Sequence, residues 1–293
     1  MLSILVMFMR WKGLRVSFIR EYSIICNRVN ISSFGKLTPL KVSFSCNYSI
    51  TSQQDRFTVS IWNLGAGTRK ALENEGADIE IYAGYRNGTF GLIAKGEVRT
   101  VWSQRDNVDI VTIISAGSGD KACQKGKCNK TMSKNCTVEQ VIQEVAKGMD
   151  NISIGQLKGV GHREDKTHKT ITGSARNVLN KLAKKNGFDW FIYLQKLYAL
   201  RKDLMFGDTF VANVYSGMIG SPRINEKGAT VDMLLNPNVL MGGVLQVQSK
   251  DLSRSYKIVG ISHQADFLGG SASWKTTITG TSPDKLSVCG SQN

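Results

Sequence analysis

The clearest pattern in the chain is an alternation of apolar and polar residues that is typical of β-strands. In residues 41–50, KVSFSCNYSI, one face is polar and the other carries Val42, Phe44, Cys46, Tyr48 and Ile50. Successive side chains of a strand point to opposite sides, so this segment is predicted to be a half-buried strand. Residues 56–64, RFTVSIWNL, repeat the alternation after a short polar connection, which predicts that the two segments pair as a hairpin.

The rest of the first 120 residues fits the same interpretation, with one short helix. Residues 68–75 are predicted to form a helix that Gly76 ends. The Asn87-Gly88 pair predicts a tight hairpin turn, and a second hairpin is predicted to turn at residues 105–107. Residues 14–119 are therefore predicted to form one mostly antiparallel β domain.

An N-terminal segment, residues 1–13, precedes this domain and contains an apolar run from Leu2 to Met9. The run is shorter than the roughly 20 apolar residues that a membrane-spanning helix needs. It also has no basic region before it and no small-residue cleavage site after it. We therefore expect a buried or edge strand here, and neither a signal peptide nor a membrane span.

After residue 119 the apolar spacing becomes helical. One amphipathic helix is predicted to begin at Thr137, which forms a capping box with Gln140. A second amphipathic helix is predicted between Ser174, as its N-cap, and Gly187, as its stop. This part of the chain is therefore predicted to contain helices, whereas the part before it is predicted to consist mainly of strands.

A strand pair bent near Gln195-Lys196 completes a small α+β insert, predicted to span residues 120–206. Alternating segments separated by Gly-Gly and Asn-Pro pairs then return, which predicts a second β domain over residues 207–282 and a C-terminal tail over 283–293. The predicted fold class is mainly β with an α+β insert.

The insert also carries much of the positive charge. The chain has a net charge of +15, and residues 121–205 contain 17 Lys and Arg against 7 Asp and Glu. This distribution indicates that the insert has its own partner, either nucleic acid or an acidic surface. The aromatic residues near 190–198 follow strand periodicity, so they are predicted to be core and not a base-stacking platform. If the insert binds DNA, three lysines of the second helix are predicted to make the contacts: Lys181, Lys184 and Lys185.

Three cysteines lie close together in a basic loop of the insert. Cys123, Cys128 and Cys136, with Cys289 or a histidine as a fourth ligand, could hold zinc or an iron–sulfur cluster. Their spacing matches neither the C-x2-C zinc patterns nor a ferredoxin motif, and free thiols or disulfides are the competing interpretations. We predict no metal and no cofactor, and keep these four cysteines as candidates for a cluster or a disulfide.

The histidines give no persuasive catalytic site. His162 and His168 flank Glu164 and Asp165 in a polar loop without the i, i+4 spacing of a helical metal site, and His263 lies in an alternating strand where a structural role is expected. The sequence contains no G-x-S-x-G, H-E-x-x-H or phosphate-loop motif. We therefore predict no catalytic residues and no enzymatic activity.

The order of several short motifs resembles the baseplate hub proteins of contractile-tailed, Mu-like phages, and more distantly the hub part of VgrG spikes. The most specific motifs are NL followed by AGY, at residues 63–64 and 83–85, and GMIGSP followed by LLNP, at 217–222 and 234–237. The resemblance spans roughly residues 40–282, and it covers neither the N-terminus nor the cysteine-rich loop.

This resemblance implies two similar β-barrel domains in each chain and a homotrimer. Three chains would present six like barrels, which can meet the six-fold tail tube on one face and the three-fold central spike on the other. The implied partners are the tail tube protein, the central spike protein and the tape measure protein, and DNA would pass through the lumen without sequence-specific binding. The implied location is the tail baseplate of the virion, after assembly in the host cytoplasm. In this interpretation Pro222 and Pro237 end strands of the second barrel.

Other functions stay open. A tail-tip hub could carry a cell-wall hydrolase within the insert, or the particle could be a phage-derived contractile injection system. A third alternative is a module that binds nucleic acid through the basic insert.

Overall fold

A computed structural model describes residues 19–36, 38–50, 55–162, 169–249, 252–269 and 273–282. The elements before the insert are β1 (Arg20–Cys26), β2 (Val29–Ser32), β3 (Val42–Ser49), β4 (Arg56–Trp62), α1 (Ala66–Leu72), β5 (Asp78–Tyr85), β6 (Phe90–Asp106) and β7 (Asp109–Gly117). The elements of the insert are α2 (Asp120–Lys125), β8 (Lys127–Met132), α3 (Val138–Lys147), β9 (Ser153–Lys158), β10 (Lys169–Ser174), α4 (Ala175–Asn186), β11 (Phe188–Tyr193) and β12 (Lys196–Arg201). The elements after it are β13 (Thr209–Ala212), β14 (Met218–Asn225), β15 (Gly228–Leu234), β16 (Val244–Ser249), β17 (Leu252–Asp266) and β18 (Trp274–Thr281).

Thirteen of these strands form one sheet, so the fold is mainly β, as predicted. Its order is β14-β15-β18-β17-β3-β4-β7-β6-β5-β1-β2, with β16 paired to β17 and β13 paired to β16. Strands from both predicted β domains therefore belong to the same sheet, joined where β17 runs antiparallel to β3. The path has two ends, β14 and β2, and no pairing between them closes it within the described residues.

The predicted hairpins are present. β3 pairs with β4, with Phe44 opposite Val59, and the side chains that alternate inward are buried. β5 pairs with β6 around the turn that contains Asn87 and Gly88, where the Tyr85 N–H donates to the carbonyl of Thr89 at 3.0 Å. The β6–β7 turn lies at residues 107–108, slightly beyond the predicted position.

The first helix differs from the prediction of residues 68–75. It begins earlier and ends at Leu72, because the polar residues after Leu72 leave the helix in tight turns while Leu72 itself is buried. Gly76 is therefore not the helix stop. Its left-handed φ of 77° turns the chain into β5, and its N–H donates to the carbonyl of Val98 at 2.7 Å.

Both helices predicted in the insert are confirmed. At the start of α3, the Gln140 N–H donates to Thr137 Oγ1 at 3.2 Å and the Thr137 N–H donates to Gln140 Oε1 at 2.9 Å, so the capping box is complete. α4 begins after Ser174, whose side chain makes no cap hydrogen bond, and ends at Gly187 in the left-handed conformation.

The insert meets the large sheet through its own three-stranded sheet, in the order β11-β12-β9. One face of this small sheet packs in the core of the insert through Trp190, Ile192, Leu197 and Ala199. The other face packs in the core of the large sheet through Phe191, Tyr193, Tyr198 and Leu200. Burial on both faces explains the nearly continuous apolar sequence of β11 and β12. The prediction that these aromatic residues are core is confirmed.

Pro222 does not end a strand. It lies within β14, at a shift of register between Ile219 and Arg223 where β14 pairs with β15. β14 is the end strand of the sheet, where a missing N–H and an irregular register are tolerated. Pro237 follows the end of β15, as expected.

Candidate functional site

A cleft lies where the insert meets the large sheet, and we call it the junction cleft. It has a volume of about 660 Å³ and is lined by parts of β6, β11 and β12 and by residues 151–153, 208 and 237–240. The β11–β12 turn enters it with Leu194 and Gln195 in the left-handed region, at φ 51° and 59°. The buried Gln195 side chain accepts a hydrogen bond from the Gly119 N–H at 2.8 Å and so fixes the first residues of the insert to this turn.

The junction cleft is lined by few charged side chains. Its charged lining residues are Lys95, Lys196 and Asp208, which provide a single carboxylate. Lys95 pairs with Glu80 at 2.7 Å, and Asp208 accepts a hydrogen bond from the Gln156 side chain at 3.2 Å. Hydrolysis of glycosidic bonds ordinarily requires two carboxylates that face each other across the substrate, and the lining offers no such pair.

A buried charged network, which we call the anchor network, holds the start of α2 against β6. The Arg99 guanidinium donates to both carboxylate oxygens of Asp120 and to the backbone carbonyl of Asp55, which is 3.0 Å away. Glu97 accepts from the backbone N–H of Lys121 at 2.8 Å. These contacts tie the first turn of the insert to the long strand of the sheet.

The carboxyl groups of the anchor network are poorly solvated. Burial raises the pKa of Asp55 to about 8, although a hydrogen bond from the Ser49 N–H and the nearby charge of Arg99 act in the opposite direction. Burial also raises the pKa of Glu97, against the opposing influence of Lys121. Asp55 is therefore largely protonated at neutral pH. This arrangement serves to anchor the insert and presents no solvent-facing acid.

Three of the four candidate cysteines lie in the core of the insert. Cys123, Cys128 and Cys136 are buried and free, and they pack with the apolar residues of α3 and α4. Burial raises the pKa of Cys123 to about 11 and raises that of Cys128 as well, so both favour the thiol form. The described part of the chain contains no group of three or more His, Cys, Asp or Glu residues placed to hold a metal. Cys289 lies outside the described residues.

The structure places His162 and His263 in different environments. His162 is exposed, with Nε2 3.0 Å from Asn186 Oδ1. His263 is fully buried in β17, with Nδ1 2.9 Å from Thr276 Oγ1, and burial lowers its pKa to about 3. His168, Glu164 and Asp165 lie outside the described residues. His263 therefore packs in the sheet as a neutral side chain, in line with the structural role that its strand position predicts.

The basic surface of the insert contains a second cavity, which we call the α4 groove. It has a volume of about 400 Å³ and lies between β10 and α4, with Val141 of α3 also in its lining. Lys181 and Lys185 line it, whereas Lys184 lines a separate cavity on another side of α4, beside Phe188 and Trp190. The structure thus divides the three predicted lysines between two surfaces.

Exposed apolar side chains concentrate at the β14 end of the large sheet. The β13–β14 connection exposes 73% of Val214 and 80% of Tyr215, and the neighbouring strands expose parts of Ile219, Ile224 and Leu234. We call these five residues the edge patch. Exposed apolar groups beside an unpaired strand edge are typical of an interaction surface.

Sequence reasoning missed both the edge patch and the anchor network. Val214 and Tyr215 could have been noticed as apolar residues in a turn-rich segment. The sequence gives no comparable signal for Asp55, Arg99 and Asp120. They lie far apart in the chain, and nothing in their spacing brings them together.

Comparison with protein families gives one match that covers most of the chain. The family described as baseplate hub gp41 matches residues 28–263. No curated protein matches the chain by sequence. Within the described residues, none of the helices combines the length and the apolar composition that crossing a bilayer requires.

Several solved structures share the fold at low sequence identity. The 43 kDa tail protein of prophage MuSo2 from Shewanella oneidensis is 12% identical, with a TM-score of 0.60 over 91% of this chain and 99% of that protein. A tail protein from Neisseria meningitidis MC58 is 9% identical, with a TM-score of 0.59 over 92% of this chain and 100% of that protein. The E. coli c3393 protein, a type VI secretion component described as structurally similar to the T4 tail proteins gp27 and gp5, is 11% identical, with a TM-score of 0.56 over 90% of this chain and 78% of that protein. At these identities the likeness establishes the fold alone.

Proposed function

The chain belongs to the baseplate hub gp41 family, and from this premise we propose that it is the structural hub of a contractile phage tail. In this role three copies form a trimer that joins the six-fold tail tube to the three-fold central spike. Its location is the tail baseplate of the virion, reached after assembly in the host cytoplasm.

The symmetry match rests on two like β-barrel units in each chain, residues 14–119 and residues 207–282. Strands from both stretches lie in the large sheet, on either side of the β3–β17 contact, and the insert of residues 120–206 packs against that sheet. Two units in each of three chains supply six contacts for a six-fold ring, while the assembly keeps a three-fold face for the spike.

The edge patch is the observation that supports the proposed trimer most directly. Among the described residues no strand pairs with the outer edge of β14, and an unpaired edge beside five exposed apolar residues is costly for a protein that stays monomeric, because it exposes backbone groups and apolar area to water. Contact with a neighbouring copy would cover the patch. The tail tube, central spike and tape measure proteins are the further proposed partners, and DNA would pass through the lumen without sequence-specific contacts.

The proposed role needs neither catalysis nor a cofactor. The junction cleft with its single carboxylate supports a non-enzymatic function. We propose that Cys123, Cys128 and Cys136 are free thiols that complete the apolar core of the insert. Metal analysis of the purified chain, together with electrophoresis with and without a reducing agent, tests this, and bound zinc or iron would contradict it.

Electron microscopy of particles that carry a labelled copy of the chain tests the hub assignment. The expected label lies on the tail axis, between the end of the tube and the spike. Tyr215→Glu should reduce incorporation into particles, while Val108→Glu, which places the same charge on the exposed β6–β7 turn, serves as the comparison. A label on the sheath or the capsid would contradict the assignment.

A phage-derived contractile injection system is the second candidate, favoured by the shared fold with the E. coli type VI secretion component. The two candidates differ in whether particles containing this chain also contain packaged DNA. A cell-wall hydrolase is the third, and a zymogram on host cell wall tests it directly, with clear lysis as the result that supports it.

A further inference from the structure

The β13–β14 connection carries two apolar side chains, Val214 and Tyr215, which we call the apolar tip. They are 73% and 80% exposed. The residues on either side of them close the loop, because the Asn213 N–H donates to Ser216 Oγ at 2.8 Å and the Ser216 N–H donates to Asn213 Oδ1 at 2.8 Å. The Asn213 side chain also donates to Gln248 Oε1 on β16 at 3.1 Å. The apolar tip is therefore preorganised, and a preorganised group loses little conformational entropy when it binds.

The residue types at the apolar tip are unusual for a turn. Exposed turn positions ordinarily hold Gly, Pro, Asn, Asp or Ser. Here Gly217 makes the turn, with a φ of 93°, and a Cβ at that position would lie 3.1 Å from Leu234 on β15. The two side chains that point outward are Val214 and Tyr215. Tyrosine is among the residue types that most often anchor protein–protein interfaces, so the apolar tip has the character of an anchor.

The junction cleft is a concave surface that can receive such an anchor. Its volume of about 660 Å³ lies within the range of about 300–1,000 Å³ that is typical of binding sites. Its walls include the half-buried side chains of Leu92, Ile152, Leu194 and Leu240. The carboxylate of Asp208 also lies in the lining and can accept a hydrogen bond from a tyrosine hydroxyl. The cleft therefore suits both the ring and the hydroxyl group of a tyrosine.

One wall of the cleft has a backbone conformation that its residues do not favour. Leu194 and Gln195 form the β11–β12 turn with φ 51° and 59°, whereas turns of this kind favour Asn followed by Gly. The Gln195 side chain has a structural task, since it accepts from the Gly119 N–H. Leu194 packs partly against the core of the large sheet and presents its remaining surface to the cleft. Residues held in such conformations concentrate at binding sites.

We propose that the apolar tip of one copy inserts into the junction cleft of a neighbouring copy. The inference rests on the proposed function, from which it takes the trimer, and it names the two surfaces that meet. A closed three-fold ring requires a head-to-tail contact between two different surfaces of the same chain. The apolar tip and the junction cleft are two such surfaces, because Val214 and Tyr215 are too exposed to fill the cleft of their own chain. In this contact the Tyr215 hydroxyl donates to Asp208 and the ring packs against Leu194.

Photocrosslinking of the purified full-length chain tests this contact. p-Benzoylphenylalanine in place of Tyr215 keeps an aromatic ring at the tip, and irradiation should join neighbouring chains. Mass spectrometry of the linked peptides should place the new bond at residues 192–198 or 237–240, and a mixture of isotope-labelled and unlabelled chains separates bonds between chains from bonds within one chain. The same crosslinker in place of Val108, which is 97% exposed on the β6–β7 turn, is the control and should leave the chains unlinked.

Two variants separate the contributions of the two surfaces. Tyr215→Glu removes the tip and keeps the cleft, whereas Asn238→Trp fills the cleft and keeps the tip. Each should be a single chain in native mass spectrometry, because a ring needs both surfaces in every copy. Mixed in equal amounts, the two variants should form a pair with one chain of each kind and nothing larger, since the pair has one intact tip and one intact cleft in contact.

Asn129→Trp provides the matched control for the filled cleft. Asn129 is exposed on β8, outside the lining of the junction cleft, so this variant should assemble like the wild type. Circular dichroism checks the folding of each variant. Lys196→Trp, at another exposed position of the cleft, replaces Asn238→Trp if the latter does not fold.

The outcomes distinguish failure of this contact from failure of the hub proposal. A wild-type trimer whose bonds from position 215 lie outside the junction cleft would overturn the contact and leave the hub proposal standing. Equal loss of assembly in Asn238→Trp and Asn129→Trp, or bonds confined to the chain that carries the crosslinker, would also overturn the contact. A wild-type dimer linked through the cleft would support the contact and contradict the trimer. A chain that stays single and unlinked would overturn both.

Discussion

Ser262 on β17 donates a hydrogen bond to Asn47 on β3 at 2.7 Å, although 215 residues separate them in sequence. The two residues are direct register partners where the strands before the insert meet the strands after it. The β stretches on either side of the insert are therefore parts of one sheet, and each completes the hydrogen bonding of the other.

This relationship predicts that the first β stretch does not fold well by itself. A fragment of residues 14–119 loses β17, which leaves β3 with an exposed edge and uncovers Phe44 and Tyr48. We expect poor chemical-shift dispersion or aggregation of this fragment, and recovery when residues 207–282 are co-expressed. A monomeric fragment with a dispersed NMR spectrum would contradict the expectation.

The anchor network predicts a stability that falls as the pH rises. The pKa of Asp55 is about 8 in the folded chain, whereas an unfolded Asp has a pKa of about 3.9. Between these values the folded state binds more protons than the unfolded state, so raising the pH removes stability until Asp55 has ionised. Asp55→Asn keeps the shape of the side chain without the charge, and should be more stable than the wild type at pH 9 by about 1–3 kcal/mol.

Urea unfolding at pH 5, 7 and 9 measures this difference. Asp203→Asn is a suitable control, because the pKa of Asp203 lies below its ordinary value, through its hydrogen bonds from Arg201, and so Asp203 does not titrate in this range. Glu97 also makes the stability fall as the pH rises, and the Asp55→Asn variant retains this contribution. If wild type and Asp55→Asn lose the same stability between pH 5 and pH 9, Asp55 is not the buried acid described here.

His263 predicts a loss of stability on the acidic side. Its folded pKa of about 3 lies below the ordinary value of about 6.5, so below pH 6.5 the unfolded state gains a proton that the folded state does not bind. Between pH 7 and pH 4.5 this difference costs about 2–3 kcal/mol. His263→Gln should be less stable at pH 7, through altered packing, but should lose less stability on acidification. Guanidinium unfolding at the two pH values compares the losses, and equal losses would refute the prediction.

Two glycines give opposite predictions for the same substitution. A Cβ at Gly228 would lie 1.9 Å from the carbonyl oxygen of Gly280, in the neighbouring strand, whereas a Cβ at Gly67 in α1 meets nothing within 4 Å. Gly228→Ala should therefore destabilise the fold by about 1–3 kcal/mol. Gly67→Ala should stabilise it by about 0.5–1 kcal/mol, because it reduces the freedom of the unfolded chain. The free energies of unfolding in urea test both, and a Gly228→Ala variant as stable as the wild type would rule out the close strand approach.

Local sequence patterns predict the individual strands and helices of this fold better than they predict which strands pair. The alternation in residues 42–50 identifies β3, and Thr137 with Gln140 identifies the start of α3, because each signal lies within a few residues. The same alternation gives the buried face of β3 but not its neighbour, so the contact with β17 could not be predicted. Pro222 was wrongly predicted to end a strand. It is tolerated within β14 because β14 is the end strand of the sheet, and the local sequence does not show that position.

The candidate surfaces were only partly predictable for the same reason. The positive charge of the insert is evident from composition, but the sequence did not separate Lys181 and Lys185 from Lys184, which lines a different cavity. The position of β10 in the α4 groove depends on its pairing with β8. No local pattern in the sequence indicates that pairing. The anchor network likewise depends on how β6 meets α2 in space.

Native mass spectrometry of the purified full-length chain tests the hub proposal most directly. The proposal predicts an assembly with three times the 32.3 kDa mass of one chain, which Tyr215→Glu in the edge patch converts to single chains while Val108→Glu does not. A chain that stays monomeric, even with the tube or spike protein present, would contradict it.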